Sequence, residues 1–205
     1  MNFLDRDRVL TWLYDHLPQR RVDHILRVEQ VAEDLALVHG VDPEKSRQAG
    51  LLHDLAKFYP PDTLLSTARQ QGHRIHPVEQ AHPHLLHAWV SAVEANRLFG
   101  VESPEILAAI RNHTLGCPGM DALSGIIFLA DALEPGRGEG AKLNQIRAWS
   151  QQNWHKAVWK TCDHTLKQLL KAGQMIHPQM LETRNWAMAQ AKLKKDDKLE
   201  SLDRL

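Results

Sequence analysis

Apolar residues recur three and four positions apart along almost the whole chain, which is the period of an amphipathic helix. In the stretch 22–39, for example, Ile25, Val28, Val31, Leu35 and Val38 fall on one face. The pattern predicts helices over 4–17, 22–39, 42–59, 62–70, 84–99, 103–113, 120–133, 141–150, 154–172 and 178–195. We find no alternating strand pattern and no internal repeat, so the sequence predicts an all-α fold.

Glycine, proline and aspartate residues mark the expected ends of these helices. Gly40 and Gly100 follow the last apolar residue of two helices, as C-terminal stops do. Asp42 and Pro43 provide a cap and a first-turn proline for the third helix, which is expected to run through residues 53 and 54. Residues 72–83 and 115–119 are expected to be loops, and the charge-rich stretch 192–205 is expected to fray.

Two carboxylates stand in runs that are otherwise apolar. His53 and Asp54 interrupt the run 49–57, and Asp131 ends the run 126–131, the most hydrophobic of the chain. Burying an unpaired carboxylate costs several kcal/mol, so each of these groups needs a neutralising partner. A metal cation is the simplest partner, because imidazole and carboxylate together suit iron, manganese, zinc or nickel. The absence of a thiolate ligand argues against a structural zinc site.

Three further histidines are candidate ligands. His24 lies near the apolar face of the second helix, His87 follows a Leu-Leu pair, and His113 closes a helix with an apolar inner face. Each candidate has a structural alternative. His24 could be a packed core residue, His113 a charge that complements the helix dipole, and His84 lies one turn from His87. His53 and Asp54 alone could form a buried hydrogen bond, and Asp131 could belong to an ion pair between helices.

Composition narrows the class of protein. The chain has 205 residues, of which 43% are apolar and 24% charged, an ordinary globular mixture. Its 25 acidic and 25 basic residues balance, so we expect no nucleic-acid partner. The only cysteines are Cys117 and Cys162, which fits a reducing cytosol. Residues 1–8 do not predict a signal peptide, and no run approaches the roughly 18 apolar residues that span a bilayer. We therefore expect a cytoplasmic protein without a membrane partner.

The ordered set of histidines and aspartates, with its flanks, resembles the HD-domain phosphohydrolase superfamily. The shared pattern is a histidine, a His-Asp pair, two later histidines and a final aspartate, each on a successive helix. The flanks stand in Leu51–Lys57, Leu85–Ala88, Ile110–Thr114, Pro118–Met120 and Ile126–Pro135. These segments are most similar to the YqeK-type branch of the superfamily, and the resemblance covers residues 20–170.

The resemblance implies a fold, an activity and a cofactor. The fold would be an HD-domain helical bundle over residues 20–173, with a binuclear metal site in its core. Residues 1–19 would form an N-terminal helix packed on this core, and residues 174–205 a C-terminal helix and charged tail. The YqeK-type branch hydrolyses diadenosine tetraphosphate symmetrically to two ADP. Its site implies two divalent or mixed-valence metal ions, with iron expected first and manganese or another transition metal as the alternative.

The resemblance also implies roles for individual residues. His24, His53 and Asp131 would bind one metal ion, His87 and His113 the other, and Asp54 would bridge the two. The ions would share a hydroxide and direct it at a phosphorus atom beside the central bridging oxygen of the substrate. The substrate would carry several negative charges, so further cations are expected near the metals, and helical spacing places Lys57 one turn after the His53-Asp54 pair. Lys57 and Arg137 are therefore expected to act in catalysis, and the expected substrate-binding residues are Arg27, Lys57, Thr114, Gly116 and Arg137.

Alternative functions remain open at this point. Another HD-type enzyme could hydrolyse guanosine tetraphosphate or nucleoside monophosphates, and a regulatory HD domain could bind a nucleotide without turnover. A cyclic-dinucleotide phosphodiesterase is disfavoured, because no Gly-Tyr-Pro motif follows the histidines. Two departures from the YqeK-type pattern concern the pocket wall: Ala88–Ser91 replaces a glycine-rich stretch, and Leu115 replaces a threonine. The sequence does not choose between a monomer and a homodimer.

Overall fold

A computed structural model describes residues 4–202, and every regular element among them is a helix. The all-α prediction is therefore confirmed over the described residues. The α-helices are α1 (Arg6–His16), α2 (Gln19–His39), α3 (Pro43–Leu52), α4 (Pro61–Gln70), α5 (Pro77–Ala81), α6 (His87–Phe99), α7 (Pro104–Asn112), α8 (Ala122–Leu133), α9 (Ala141–Ser150), α10 (Trp154–Lys171) and α11 (Pro178–Leu202). Short 3₁₀ turns occupy Pro83–Leu86 and Pro135–Arg137.

The main core is organised around α2 and α8. Helix α2 packs against α3 and α8, and α10 packs against α8, α9 and α11. Every residue from 123 to 130 of α8 is buried, which explains why this segment is the most apolar run of the sequence. Gly125 of α8 allows the ring of Trp154 to come close, since a Cβ atom at this glycine would lie 2.5 Å from the ring.

The His53-Asp54 pair lies in a turn and not in the helix that the sequence predicts. Helix α3 ends at Leu52, and residues 53–58 form consecutive turns with hydrogen bonds such as Lys57 N–H to the Asp54 carbonyl (3.0 Å). Leu55 belongs to the main core, whereas Ala56 belongs to a second apolar cluster with residues of α4 and α6. The turn is therefore anchored on both sides, and the predicted helix over 42–59 is wrong beyond Leu52.

Two further differences concern the segment that leads to α6. The expected loop 72–83 contains the short helix α5, which His76 and Glu79 cap reciprocally: His76 Nδ1 accepts from Val78 N–H and the Glu79 carboxylate accepts from His76 N–H. The helix predicted over 84–99 begins as a 3₁₀ turn, and α6 starts at His87. His87 therefore occupies the first position of α6, where its side chain is buried.

The two ends of the chain contribute to the same core. Val9 and Leu13 of α1 are fully buried, and Met180 and Ala187 of α11 are buried as well. Helix α11 continues to Leu202, beyond the end predicted near 195, and the fraying expected from 192 stays a prediction. Residues 203–205 of the expected tail lie outside the described part of the chain.

Candidate metal centre

The six predicted ligand side chains converge on one point in the core. His24 comes from α2, His53 and Asp54 from the turn after α3, and His87 from the first position of α6. The remaining two are His113, directly after α7, and Asp131, on α8. The first five are buried, with exposed fractions of 5% or less, and Asp131 is partly exposed. The sequence prediction that they belong together agrees with this arrangement.

Each histidine ring is oriented by a hydrogen bond from its Nδ1 atom. The Nδ1–H groups donate to the carbonyl oxygens three residues earlier in the chain: His53 to Gly50 (2.6 Å), His87 to His84 (2.5 Å) and His113 to Ile110 (2.7 Å). His24 Nδ1–H donates to the Glu134 carboxylate (3.0 Å). Because Nδ1 holds the hydrogen in the neutral ring, the Nε2 atom is left with its lone pair. All four Nε2 atoms then serve as potential metal ligands.

These Nε2 atoms surround the two oxygens of Asp54. Oδ1 lies 3.2 Å from His87 Nε2 and 3.8 Å from His113 Nε2. Oδ2 lies 3.4 Å from His53 Nε2 and 3.8 Å from His24 Nε2. The two carboxylate oxygens therefore face different pairs of histidines, which is the arrangement expected of a carboxylate shared by two cations.

The cluster has donor atoms that the protein itself leaves unsatisfied. His24 Nε2, His53 Nε2 and Asp54 Oδ1 are buried and have no hydrogen-bond partner among the described residues. His87 Nε2 and His113 Nε2 lie only 3.0 Å apart, with both Nδ1 hydrogens already used elsewhere. Two lone pairs at this distance repel each other, and the Lys57 ammonium, 3.1 Å from His87 Nε2, supplies a hydrogen to only one of them. The nitrogen and oxygen donors thus fit transition-metal ions well.

Two groups of three residues have ligand atoms within 4.8 Å of one another: His24, His53 and Asp131 form one, and His53, Asp54 and His113 the other. Asp131 Oδ1 lies 3.1 Å from His24 Nε2 and 3.9 Å from His53 Nε2. No similar group was found elsewhere in the described chain, so the histidines of residues 73–84 do not form a second cluster of this kind.

The charges of the cluster are set by burial and mutual contact. Burial acts to raise the pKa of Asp54, but the adjacent His53 and His87 outweigh it and hold that pKa well below its usual value. Burial, together with His87 and His53, lowers the pKa of His113 to about 3. Burial also acts to raise the pKa of Asp131, and the contact with His24 lowers it below the usual value. At neutral pH the two carboxylates are therefore ionised and His113 is neutral, the forms that bind metal.

Two cationic side chains from the sequence prediction lie beside the cluster. Lys57 Nζ donates to His87 Nε2 (3.1 Å) and lies 4.0 Å from Asp54 Oδ1. The Arg137 guanidinium donates to the Asp131 carboxylate and, through Nε, to the Asp131 carbonyl (2.8 Å). Both side chains line a cavity of about 310 Å³ that opens from His113 and Asp131. Thr114 also lines this cavity, and its Oγ1 lies 3.3 Å from His87 Nε2.

The other two predicted substrate-binding residues have structural partners. Arg27 donates to Glu134, with Nε 2.5 Å from Oε2, and is not part of the cavity wall. The Gly116 carbonyl accepts from the Gln179 side-chain amide (2.5 Å), and the glycine adopts a positive φ of 66° next to Thr183. Neither residue lies among those that line the cavity.

Sequence reasoning missed two residues of the site. Glu134 is 2% exposed and accepts from His24, Arg27 and the Gly136 backbone, so it orients a candidate ligand. Burial acts to raise the pKa of Glu134, but the Arg27 and His24 contacts lower it. Arg21 Nη1 donates to Asp54 Oδ2 (2.8 Å) from one turn before His24 on α2. An Arg three residues before a candidate ligand was the available signal, since residues at this spacing share a helix face.

The two departures from the YqeK-type pattern have different places in the structure. Ser91 is fully buried, and its Oγ accepts from Ala56 N–H (3.0 Å), so this position supports the turn that holds Asp54. Leu115 lines a second cavity next to the first one. Of these two departures, only Leu115 therefore lies in the wall of either cavity.

The fold and the site define a class of protein, namely an all-helical bundle that gathers histidines from several helices around a shared aspartate. The HD domain family matches residues 21–136, more than half of the chain, and the chain belongs to this family.

Individual relatives agree with this assignment. A symmetrical bis(5'-nucleosyl)-tetraphosphatase of Halalkalibacterium halodurans is 32% identical over 92% of this chain and 100% of its own length. The enzyme of the same name from Bacillus subtilis is 31% identical over 91% of this chain and 99% of its own length. A crystal structure from Clostridium acetobutylicum, described as a predicted HD superfamily hydrolase involved in NAD metabolism, has a TM-score of 0.87 at 30% identity. The aligned region comprises 92% of this chain and 100% of the Clostridium acetobutylicum chain. Among the described residues, no helix combines the length and apolar character that crossing a membrane requires.

Proposed function

We propose that this protein hydrolyses diadenosine tetraphosphate and related dinucleoside polyphosphates symmetrically, giving two nucleoside diphosphates. One observation supports the proposal above all: four histidines, each oriented through Nδ1, direct Nε2 atoms at the two oxygens of the buried Asp54. The relatives named for this activity match the chain over about nine-tenths of its length.

In this proposal six residues hold two metal ions. His24, His53 and Asp131 would hold one ion, His87 and His113 would hold the other, and Asp54 would be shared by both. Iron is the proposed metal, with manganese as the alternative, because both accept nitrogen and oxygen ligands. When bound, the two cations would supply Lewis acidity and lower the pKa of a water molecule near the scissile phosphate.

The protein's own cations then bind and orient the polyphosphate. Lys57 and Arg137 line the same cavity as His113 and Asp131, where they would neutralise phosphate oxygens. The Thr114 hydroxyl is a neutral donor at the same wall. Arg21 would hold Asp54 Oδ2 in place through its hydrogen bond, and Glu134 would hold His24. Arg27 would not touch the substrate but would hold Glu134 in place through its hydrogen bond. Gly116 would help to position the loop that carries Thr114.

The proposal includes the setting of the enzyme. Residues 20–173 form the HD unit, residues 1–19 an N-terminal helix packed on it, and residues 174–205 a C-terminal helix and tail. The protein is proposed to act in the cytoplasm on a small-molecule nucleotide, without nucleic acid or membrane as a partner, as a monomer or homodimer.

Metal analysis combined with product identification tests the proposal. The purified protein should contain about two equivalents of metal and convert diadenosine tetraphosphate to ADP as the sole product. Asp54→Asn should lose metal and turnover, because the amide removes the negative charge that two cations share. Asp62→Asn is the matched control, since Asp62 is exposed at the start of α4. AMP plus ATP as products would refute symmetrical cleavage.

The alternative functions are distinct outcomes of the same assay. Turnover of guanosine tetraphosphate or nucleoside monophosphates without turnover of diadenosine tetraphosphate would identify another HD-type nucleotide hydrolase. Nucleotide binding by the metal-loaded protein without turnover of any of these would identify a regulatory domain.

A further inference from the structure

A second cavity adjoins the one that opens from the metal cluster. Its volume is about 160 Å³, against about 310 Å³ for the first. The two cavities share three wall residues, Thr114, Thr165 and Met180. Thr114 directly follows the candidate ligand His113, so the two cavities meet beside the metal cluster.

The walls of the two cavities differ in chemistry. The first contains the cations Lys57 and Arg137 and two candidate ligands. The second contains none of these residues, and its wall is largely apolar, with Leu85, Leu115, Leu169, Met175 and Met180 contributing side chains. The first cavity is thus suited to phosphates, whereas the second is suited to an apolar ring.

His177 adds a polar group to this second cavity. The residue is 9% exposed, and its Nδ1 accepts from Gln179 N–H (3.2 Å), so the hydrogen of the neutral ring is on Nε2. Nε2 has no hydrogen-bond partner among the described residues, although the His76 ring lies near, with centroids 4.5 Å apart. A buried donor without a partner costs free energy, which a ring nitrogen acceptor of a ligand would recover.

We propose that the second cavity binds the base of one nucleoside of the substrate while the first cavity takes the polyphosphate and the other nucleoside. The inference rests on the proposed function. Symmetrical cleavage requires the middle of a dinucleotide at the metal ions, so its two nucleosides must leave the cluster in different directions. The junction at Thr114 provides two such directions. A cavity of roughly 150 Å³ holds a benzene-sized ring, so the volume of the second cavity suits a single base.

Two matched substitutions on α10 test this assignment. Leu169 lines the second cavity, whereas the next residue, Leu170, is 69% exposed and lines neither cavity. Leu169→Trp fills the cavity, and Leu170→Trp adds the same side chain to the surface. The metal-loaded full chain is titrated by calorimetry with two hydrolysis-resistant probes that carry a methylene group at the central bridge. One is the diadenosine tetraphosphate analogue, and the other lacks the second adenosine.

In the wild type the probe with two nucleosides should bind more tightly than the probe with one. Leu169→Trp should reduce this preference about ten- to hundredfold, the ratio that corresponds to losing one stacked base, and Leu170→Trp should retain it. If Leu169→Trp fails to fold, His177→Phe provides the same comparison, because it removes the Nε2 donor and keeps a ring.

The inference would be overturned if the two tryptophan variants showed the same ratio of affinities for the two probes. It would also be overturned if the wild type hydrolysed diadenosine tetraphosphate but bound both probes with equal affinity. Both results leave the proposed function intact. A metal-loaded wild type that neither hydrolyses diadenosine tetraphosphate nor binds its analogue would refute the proposed function and this inference together.

Discussion

Replacing Glu134 by glutamine should weaken metal binding even though Glu134 is not a candidate ligand. The buried carboxylate accepts at Oε1 from His24 Nδ1 (3.0 Å) and Arg27 Nη2 (3.5 Å), and at Oε2 from Arg27 Nε and Gly136 N–H (both 2.5 Å). Glutamine has one oxygen and one NH₂ group in their place, so its NH₂ must face at least one donor. The less costly orientation turns the NH₂ group toward His24, because Oε2 accepts two hydrogen bonds of 2.5 Å, whereas the two to Oε1 are longer.

This orientation changes the protonation of the His24 ring. To accept from the NH₂ group, Nδ1 must give up its hydrogen, and the neutral ring then has its hydrogen on Nε2. A protonated Nε2 cannot bind a cation. Removing a hydrogen-bond partner that orients a ligand typically costs 10–100-fold in metal affinity or activity, which is about 1.4–2.7 kcal/mol.

The assay is a calorimetric titration of metal-free protein with Mn²⁺, with Glu139→Gln as the matched control. Glu139 is exposed in the segment between α8 and α9 and has no contact with the cluster. We expect the Glu134→Gln protein to bind one ion about 10–100-fold more weakly and the control to behave as the wild type. An affinity within twofold of the wild type for both ions would show that Glu134 does not hold His24 in a metal-binding form.

Three further predictions follow from packing, burial and linkage. Gly125→Ala should lower the free energy of unfolding by about 1–3 kcal/mol, because the alanine Cβ would overlap the Trp154 ring. An unchanged melting temperature of the variant would contradict this packing. Cys117 is partly exposed, whereas Cys162 is buried and burial raises its pKa to about 12. Ellman's reagent should therefore titrate one thiol in the native protein and two in denaturant, and two fast-reacting thiols in the native protein would contradict the burial of Cys162. Removing metal with a chelator should lower the melting temperature by about 5–10 °C, because a ligand at 100 times its Kd stabilises the folded state by about 2.7 kcal/mol. An unchanged melting temperature would argue against a bound metal.

Much of the secondary structure could be predicted from local pattern. Periodicity and caps predicted the helices because a helix end depends on residues within one turn of it. Asp42 caps α3 through its carboxylate, and Gly40 ends α2 in the left-handed conformation. The helix over 42–59 was predicted too long, because Ala56 N–H leaves the helical pattern for Ser91 Oγ, 35 residues away. Contacts at that separation leave no trace in helical periodicity.

The sequence by itself determined which residue types are available for a metal site, because ionisable groups inside apolar runs need a partner wherever the chain folds. His53, Asp54 and Asp131 were recognisable on that ground alone. The tertiary structure decided how these groups are held: Glu134 meets His24 across 110 residues and Arg21 meets Asp54 across 33. It also decided where the cavities lie, since both are bounded by helices distant in sequence. Local sequence specifies chemistry and helix ends, whereas distances between atoms of different helices depend on how the whole core packs.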